Sequence, residues 1–155
     1  MFAWIGGGCL LLVAAGTVAF VLWVRWLAAG PEDLEVEVEA PLEVRVGERF
    51  EVVASVENLA SRPRTLVDLD VADSYLAGLA IVETVPPFSD AVHVPFDESL
   101  SHSFDLTVGP SGRKRVVFHM AAVSEGDFAG DIDFCVDSEV RCVPYPVRTL
   151  VRPAP

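Results

Sequence analysis

The sequence predicts an all-β fold, an antiparallel sandwich preceded by a single N-terminal transmembrane helix. Three observations carry that expectation. Every residue from Met1 to Val24 is uncharged, and Arg25 is the only charge before Glu32. From Leu34 onward the apolar period drops to two, in short runs separated by Gly, Pro, Asn and Asp. No window of helical period falls between those runs, which excludes alternating βαβ units. A mean hydropathy of +0.42 beside 23 acidic and 11 basic residues is therefore segregation along the chain, apolar first and acidic after.

The span comes first. As a helix, Met1 to Val24 reaches about 36 Å at the usual rise per residue, against about 30 Å of bilayer hydrocarbon, so it crosses with some tilt. Trp4 near one end and Trp23 and Trp26 near the other mark the two water interfaces, where amphipathic indoles settle. A cleaved leader is the competing assignment, with Leu27-Ala28-Ala29-Gly30 as its processing site. Nothing basic precedes the apolar run, however, and the run exceeds the about 7–15 residues of a signal sequence. Gly8, Ala15 and Ala19 share one face of the helix, where small residues let a second membrane helix approach; such residues are also common in any membrane helix, and both meanings stay open. Cys9 reads as a small apolar filler. The expected organisation is a transmembrane helix at 1–29, a linker at 30–33 and a sandwich at 34–152.

The strands follow in order. Leu34, Val36, Val38 and Ala40 alternate with Glu35, Glu37 and Glu39, and Leu42, Val44 and Val46 alternate with Glu43 and Arg45. Val46-Gly47-Glu48 turns the chain, and Phe50, Val52, Ala54 and Val56 continue to Asn58. After Ala60-Ser61-Arg62-Pro63, Thr65, Val67, Leu69 and Val71 form the inward set against Leu66, Asp68 and Asp70. Leu79 to Val85 is stopped by Pro86-Pro87, and the stretch to Asp97 reads as irregular. His102, Phe104, Leu106 and Val108 form the next inward set, and Gly109 to Gly112 a turn that carries the basic cluster Arg113-Lys114-Arg115. Val116 to Val123 is apolar enough for a sheet centre. Gly126 to Gly130 reads as a turn, Ile132, Phe134 and Val136 alternate, and Val140 to Val151, with Pro144 and Pro146, either runs at an edge or is broken by a bulge. About eight strands at this spacing make a sandwich.

The phrases Val46-Gly47-Glu48-Arg49-Phe50 and Val56-Glu57-Asn58 give the chain its resemblance. Over residues 34 to 152 it resembles a bacterial immunoglobulin-like module of the kind tethered outside the cytoplasmic membrane. It departs from true immunoglobulin domains in lacking both the buried sandwich tryptophan and the inter-sheet disulfide. What the resemblance implies is a domain that binds, spaces or braces other proteins.

The cysteines give a sharper signal. If Ser138 and Glu139 form a two-residue turn, Cys135 and Cys142 fall opposite each other, about 5.5 Å apart in a hydrogen-bonded pair and within disulfide reach. Two reduced thiols side by side are the alternative. Six residues separate the pair, so C-x-x-C redox chemistry is excluded. His93, His102, His119 and Met120 all precede Cys135, which excludes a blue-copper ligand order, and zinc-finger spacing is absent. Ser101-His102-Ser103 lacks a nucleophile elbow, and a lone inward histidine reads as a core residue. Asp68, Asp70 and Asp73, and Asp127, Asp131, Asp133, Asp137 and Glu139, read either as loops feeding calcium or as a solvated sheet face.

No catalytic constellation, cofactor or metal site emerges, and the acidity argues against nucleic acid. The functional expectation is a non-catalytic accessory subunit of a larger membrane complex. Its helix would dock on other membrane-protein subunits in the lipid bilayer, and its sandwich would brace partners outside. The alternative is a stand-alone tethered module that captures a soluble ligand. Arg25 alone would hold the sandwich in the cytoplasm. The cysteine pair and the resemblance to exported sandwich modules outweigh it and predict an inner-membrane, single-pass protein with a periplasmic domain.

Overall fold

The computed structural model describes residues 17–23 and 33–154. Residues 17–23 form a helical stretch, α1, with every side chain exposed and the rings of Phe20 and Trp23 6.1 Å apart. Among the described residues no helix is long and apolar enough to cross a membrane. Ala19 and Trp23 fall within α1. Trp4, Gly8, Ala15, Trp26 and most of the expected span lie outside the described residues, as does linker stretch 30–32.

Beyond it, ten strands and one helical turn follow in the described residues. They are β1 (Leu34–Glu39), β2 (Glu43–Arg45), β3 (Arg49–Asn58), β4 (Arg64–Ala72), α2 (Asp73–Leu76), β5 (Leu79–Val85), β6 (Asp90–Val94), β7 (Ser99–Val108), β8 (Arg113–Ala122), β9 (Gly126–Val136) and β10 (Cys142–Arg152). They build a four-stranded sheet in the order β1-β3-β8-β5 and a six-stranded sheet in the order β2-β10-β9-β4-β7-β6. The all-β sandwich is thus as expected. Every pairing is antiparallel except β2 with β10, which run parallel over Glu43–Arg45 and Leu150–Arg152.

The alternation that defined the strands also places the core. Val52, Ala54 and Val56 of β3 and Val116, Phe118, Met120 and Ala122 of β8 face Leu69 and Val71 of β4 and Ile132, Phe134 and Val136 of β9, all buried. β8 lies inside its sheet, between β3 and β5, as its apolar run predicted. Gly47, at φ +86°, takes the left-handed conformation that turns β2 into β3, and the Glu48 carboxylate accepts the Arg45 amide at 2.9 Å.

Several boundaries differ from the sequence expectation, each for a local reason. The stretch read as irregular contains β6, whose residues are nearly all exposed and so show no alternation to read. Gly126 to Gly130 is not a turn but the first half of β9, paired with Val147–Val151. Gly130 is there because a Cβ would meet Ala72, Ser74 and Tyr75 at 2.7–3.2 Å. Arg113-Lys114-Arg115 opens β8 rather than sitting on the turn, and Arg113 donates to Glu57 at 3.2 Å. In β4 the registers against β7 and β9 shift between Leu66 and Asp68, so Leu66, Leu69 and Val71 all point inward while Asp68 and Asp70 lie on the opposite face, where Asp68 is itself buried. Leu66 was expected on the wet face. α2 was missed; four residues are too few to show a period. It is pinned by buried Tyr75, whose hydroxyl meets Thr149 Oγ1 at 2.9 Å, while Thr149 donates to the Pro41 carbonyl at 2.9 Å.

Candidate interaction surface

β5 and β6 are each the last strand of their sheet, and together they border one side of the sandwich. β5 is broken between Ile81 and Glu83, where its register against β8 shifts, so Val82 is turned out and is 49% exposed. Pro86 and Pro87 then end the strand, and the Val85–Pro86 peptide is cis. Buried Thr84 fixes the exit. Its hydroxyl donates to the Pro86 carbonyl at 2.9 Å and accepts the Phe88 amide at 3.2 Å, which sets Phe88 at the edge. The chain then enters β6, which among the described residues pairs only with β7.

Two shallow spaces share this edge. One, of about 310 Å³, runs between the strands and is lined by Leu79, Ile81, Val82, Phe88, Leu100 and His102 among others. The second, of about 470 Å³, is lined by Val82 to Val85 with Pro87 and Phe88. Val82 and Phe88 belong to both, so the surface is continuous. With Val85 half exposed and Phe88 38% exposed, it is a joined apolar area at the side of the sandwich.

His102 lies at the floor of the first space, only 2% exposed. Its ring stands edge-on between Phe88 and Phe118, at centroid distances of 5.2 and 5.7 Å. Burial lowers its pKa, and the Leu69 and Leu100 backbones oppose that without outweighing it. The imidazole is accordingly neutral at pH 7. Its buried Nδ1 makes no close hydrogen bond among the described residues, and the polar groups that face the ring are the Leu69 and Leu100 backbones. His102 is inward on β7 as expected; its place beside an open edge could not be read from one strand.

The outer face of the six-stranded sheet carries the acidic residues. Asp70 faces Asp133 across β4 and β9, and Asp68 accepts the Ser103 hydroxyl at 2.6 Å. Burial pushes Asp133 up to about 6, with Asp131, Asp70 and Asp97 adding to the effect, and burial likewise raises Asp70. Of the other members of the two candidate calcium groups, Asp131 acts on Asp133 and Glu139 on Asp70, whereas three are ion-paired. Asp73 pairs with His93 at 2.6 Å, Asp127 with Arg148, and Asp137 with Arg64 at 2.5 Å. The face is thus partly buried and partly ion-paired, and Asp70 and Asp133 each have one buried oxygen without a hydrogen-bond partner among the described residues.

Cys135 and Cys142 form a disulfide, with Cα atoms 4.1 Å apart. The register is as expected, but the geometry is not that of a hydrogen-bonded pair. The distance is close to the about 4.5 Å of a non-hydrogen-bonded pair, and residues 137–141, not a two-residue turn, connect the strands. Asp70 lies beside the two sulfurs, but their oxidation removes the thiolates that a metal would need there. β10, with Pro144 and Pro146, is bordered by β9 along its length and by β2 only at its end, so the prolines sit where no second strand needs their amides.

No family model matches the sequence, and no curated protein matches it either. Solved structures do match in shape. Escherichia coli alpha-2-macroglobulin in its native conformation is 18% identical with a TM-score of 0.52, over 80% of this chain and 7% of that one. The cupredoxin domain of amoB from Nitrosocaldus yellowstonii is 8% identical with a TM-score of 0.50, over 81% of this chain and 91% of that one. The CARDB domain of a Pyrococcus furiosus protein is 20% identical with a TM-score of 0.49, over 77% and 94%. At such identities the likeness shows the fold alone, an immunoglobulin- or cupredoxin-like β-sandwich, and the chain spans only a small fraction of the macroglobulin.

Proposed function

We propose that the protein is a non-catalytic, membrane-anchored accessory subunit whose sandwich braces a partner protein through the β5–β6 edge. The observation that carries this is the joined apolar surface of Val82, Val85 and Phe88 along two strand edges that no other described strand covers. Apolar area of this kind on an otherwise strongly acidic domain is costly to leave in water, and a protein interface removes the cost. The anchor is residues 2 to 24, supported by the uncharged run and its flanking tryptophans Trp4, Trp23 and Trp26. Gly8, Ala15 and Ala19 supply the face that docks on another membrane helix. The disulfide supports a domain on the periplasmic side of the inner membrane.

Mild detergent extraction followed by native mass measurement tests the role. Co-migration with a defined set of membrane proteins, lost in Val85→Arg and captured by a photo-crosslinker at position 85, is the expected result. A monomer with no crosslinked membrane protein would overturn it and favour a tethered module that takes a soluble ligand into the space beside His102.

A further inference from the structure

Resting on that bracing role, we infer that the partner binds by adding one strand to the open edge of β6, through an extended segment in which apolar residues alternate with lysine or arginine. The two sheets have four end strands among the described residues, and three of them are guarded against such pairing. β1 lines its edge with exposed Glu35, Glu37 and Glu39, and charge at an edge discourages a neighbour. β5 is interrupted by the register shift between Ile81 and Glu83 and closed by Pro86 and Pro87. β2 is three residues long, and the part of β10 that it leaves open carries Pro144 and Pro146 in place of amide donors. β6 has no such guard beyond Asp90 at its first position. It pairs with β7 in one unbroken register from Asp90 to Val94, contains no Pro, Lys or Arg, and is exposed at every residue before Val94. Its open backbone shows at Ala91, whose amide donates not to β7 but to the carboxylate of its own neighbour Asp90, at 2.9 Å. That local contact stands in for a missing strand. In an antiparallel strand the groups on one edge recur every second residue, so His93 presents its N–H and C=O to the same side. An added strand meets both residues with backbone hydrogen bonds.

The side chains of the added strand follow from the two faces it meets. Ala91 borders the space that it shares with Val82 and Phe88. Guest residues on that same face cover Val82, Val85 and Phe88, so they are apolar. The other face is acidic. There Asp90, Ser103 and Asp68 form one row across β6, β7 and β4, and Val92, Ser101 and Asp70 form the next. Between Arg64 and Arg113 no Lys or Arg balances these acids. A basic guest is drawn to that face and an acidic one repelled. A second copy of β6 brings the same acids and no cation, so it is not the occupant.

The test uses the full chain in nanodiscs of phosphatidylcholine, which carries no net charge, with the backbone amides of Ala91, Val92, His93 and Val94 followed by NMR and hydrogen exchange. The probes are three blocked hexapeptides: Lys-Val-Lys-Val-Lys-Val, the same peptide with every backbone amide methylated, and Glu-Val-Glu-Val-Glu-Val. The lysine peptide is expected to shift those amides with an apparent Kd in the millimolar range and to slow exchange at Ala91 and His93. Its methylated form keeps the side chains but not the donors and should give no shift. The glutamate peptide should bind about tenfold more weakly at low salt and approach the lysine peptide as salt rises. Ala91→Pro removes an edge donor that β7 does not use and should abolish binding, whereas Ala91→Ser should keep it. No response to the lysine peptide, equal binding of its methylated form, or a glutamate peptide that binds as well at low salt would overturn the inference. Should Ala91→Pro fail to fold, the methylated peptide still decides. If the amides respond as expected but the protein extracts as a monomer, the bracing role fails and the strand edge stands; co-migration without any response at β6 fails the edge alone.

Discussion

At the scale of single residues, the polar groups buried in this sandwich divide into those that stitch it together and those that strain it. Asn58, fully buried, belongs to the first kind. Its side-chain amide donates to the carbonyls of Arg62, Val108 and Gly109 at 2.8, 3.0 and 3.1 Å, and its oxygen accepts the Ala60 amide at 3.0 Å. One residue thus ties the β3–β4 loop to the end of β7, and Asn58→Ala leaves several buried backbone groups unpaired. Urea unfolding should show a loss of about 3 kcal/mol, with Asn58→Asp at least as damaging because a carboxylate would face carbonyls. Asp133 belongs to the second kind. Its folded pKa of about 6 lies above the unfolded value of about 3.9, so the fold binds its proton more tightly. The contribution is fully present below about pH 4 and is lost as pH rises through about 6. Because Asp133 is only half buried, screening reduces the effect to about 1 kcal/mol. Asp133→Asn should therefore raise the melting temperature by about 4 °C at pH 7.5 and leave it unchanged near pH 4. An equal shift at both values would show that the carboxylate is not under strain.

At the scale of elements, the β9–β10 hairpin shows both what alternation reveals and what it hides. The opposition of Cys135 and Cys142 was legible because one register fixes every later pair, and that register survives a loop longer than expected. The loop was not legible, since Asp137 is drawn out of the turn by its contacts. At φ +58° it accepts the Thr65 amide at 2.7 Å and the Arg64 guanidinium at 2.5 Å, which caps β4 instead. The same limit applies elsewhere. β1, β8 and the inward half of β7 follow their period-two pattern because one face of each is apolar, whereas β3 is buried on both faces from Val52 to Val56. Leu66 was assigned to the wrong face because a bulge reverses parity and depends on the neighbouring strands, not on the strand's own sequence. The β5–β6 surface was not legible either, being assembled from two edges that belong to different sheets. For the hairpin, Cys135→Ser with Cys142→Ser should cost about 2.5 kcal/mol in the chain-entropy model for so short a loop. Because Arg64 and Asp137 hold the loop independently, the double variant should still fold, with near-UV circular dichroism retained; a variant that fails to fold would mean the ion pair forms only after the disulfide.

For the whole molecule, the proposed anchor allows the sandwich either side of a membrane, and the charge pattern and the disulfide point to opposite sides. Arg25 follows the apolar run with no basic residue before it, which alone would retain the sandwich in the cytoplasm. A single arginine is a small bias, and after it the next basic residue is Arg45, already inside β2, so no basic stretch stands at the membrane to strengthen it. Cys135 and Cys142 are oxidised, and a disulfide persists where no thiol pool reduces it. The stronger of the two signals thus predicts a cytoplasmic N-terminus and an extracytoplasmic sandwich. The measurement is differential alkylation in intact cells of a Cys9→Ala chain, which leaves only the sandwich cysteines to report. Neither thiol should label until the protein is denatured and reduced, and protease added to spheroplasts should cut the sandwich, most readily in the 137–141 connection beyond the disulfide. Thiols that label after denaturation without reductant, together with a sandwich that external protease cannot reach, would reverse the orientation and place the β5–β6 edge against a cytoplasmic partner.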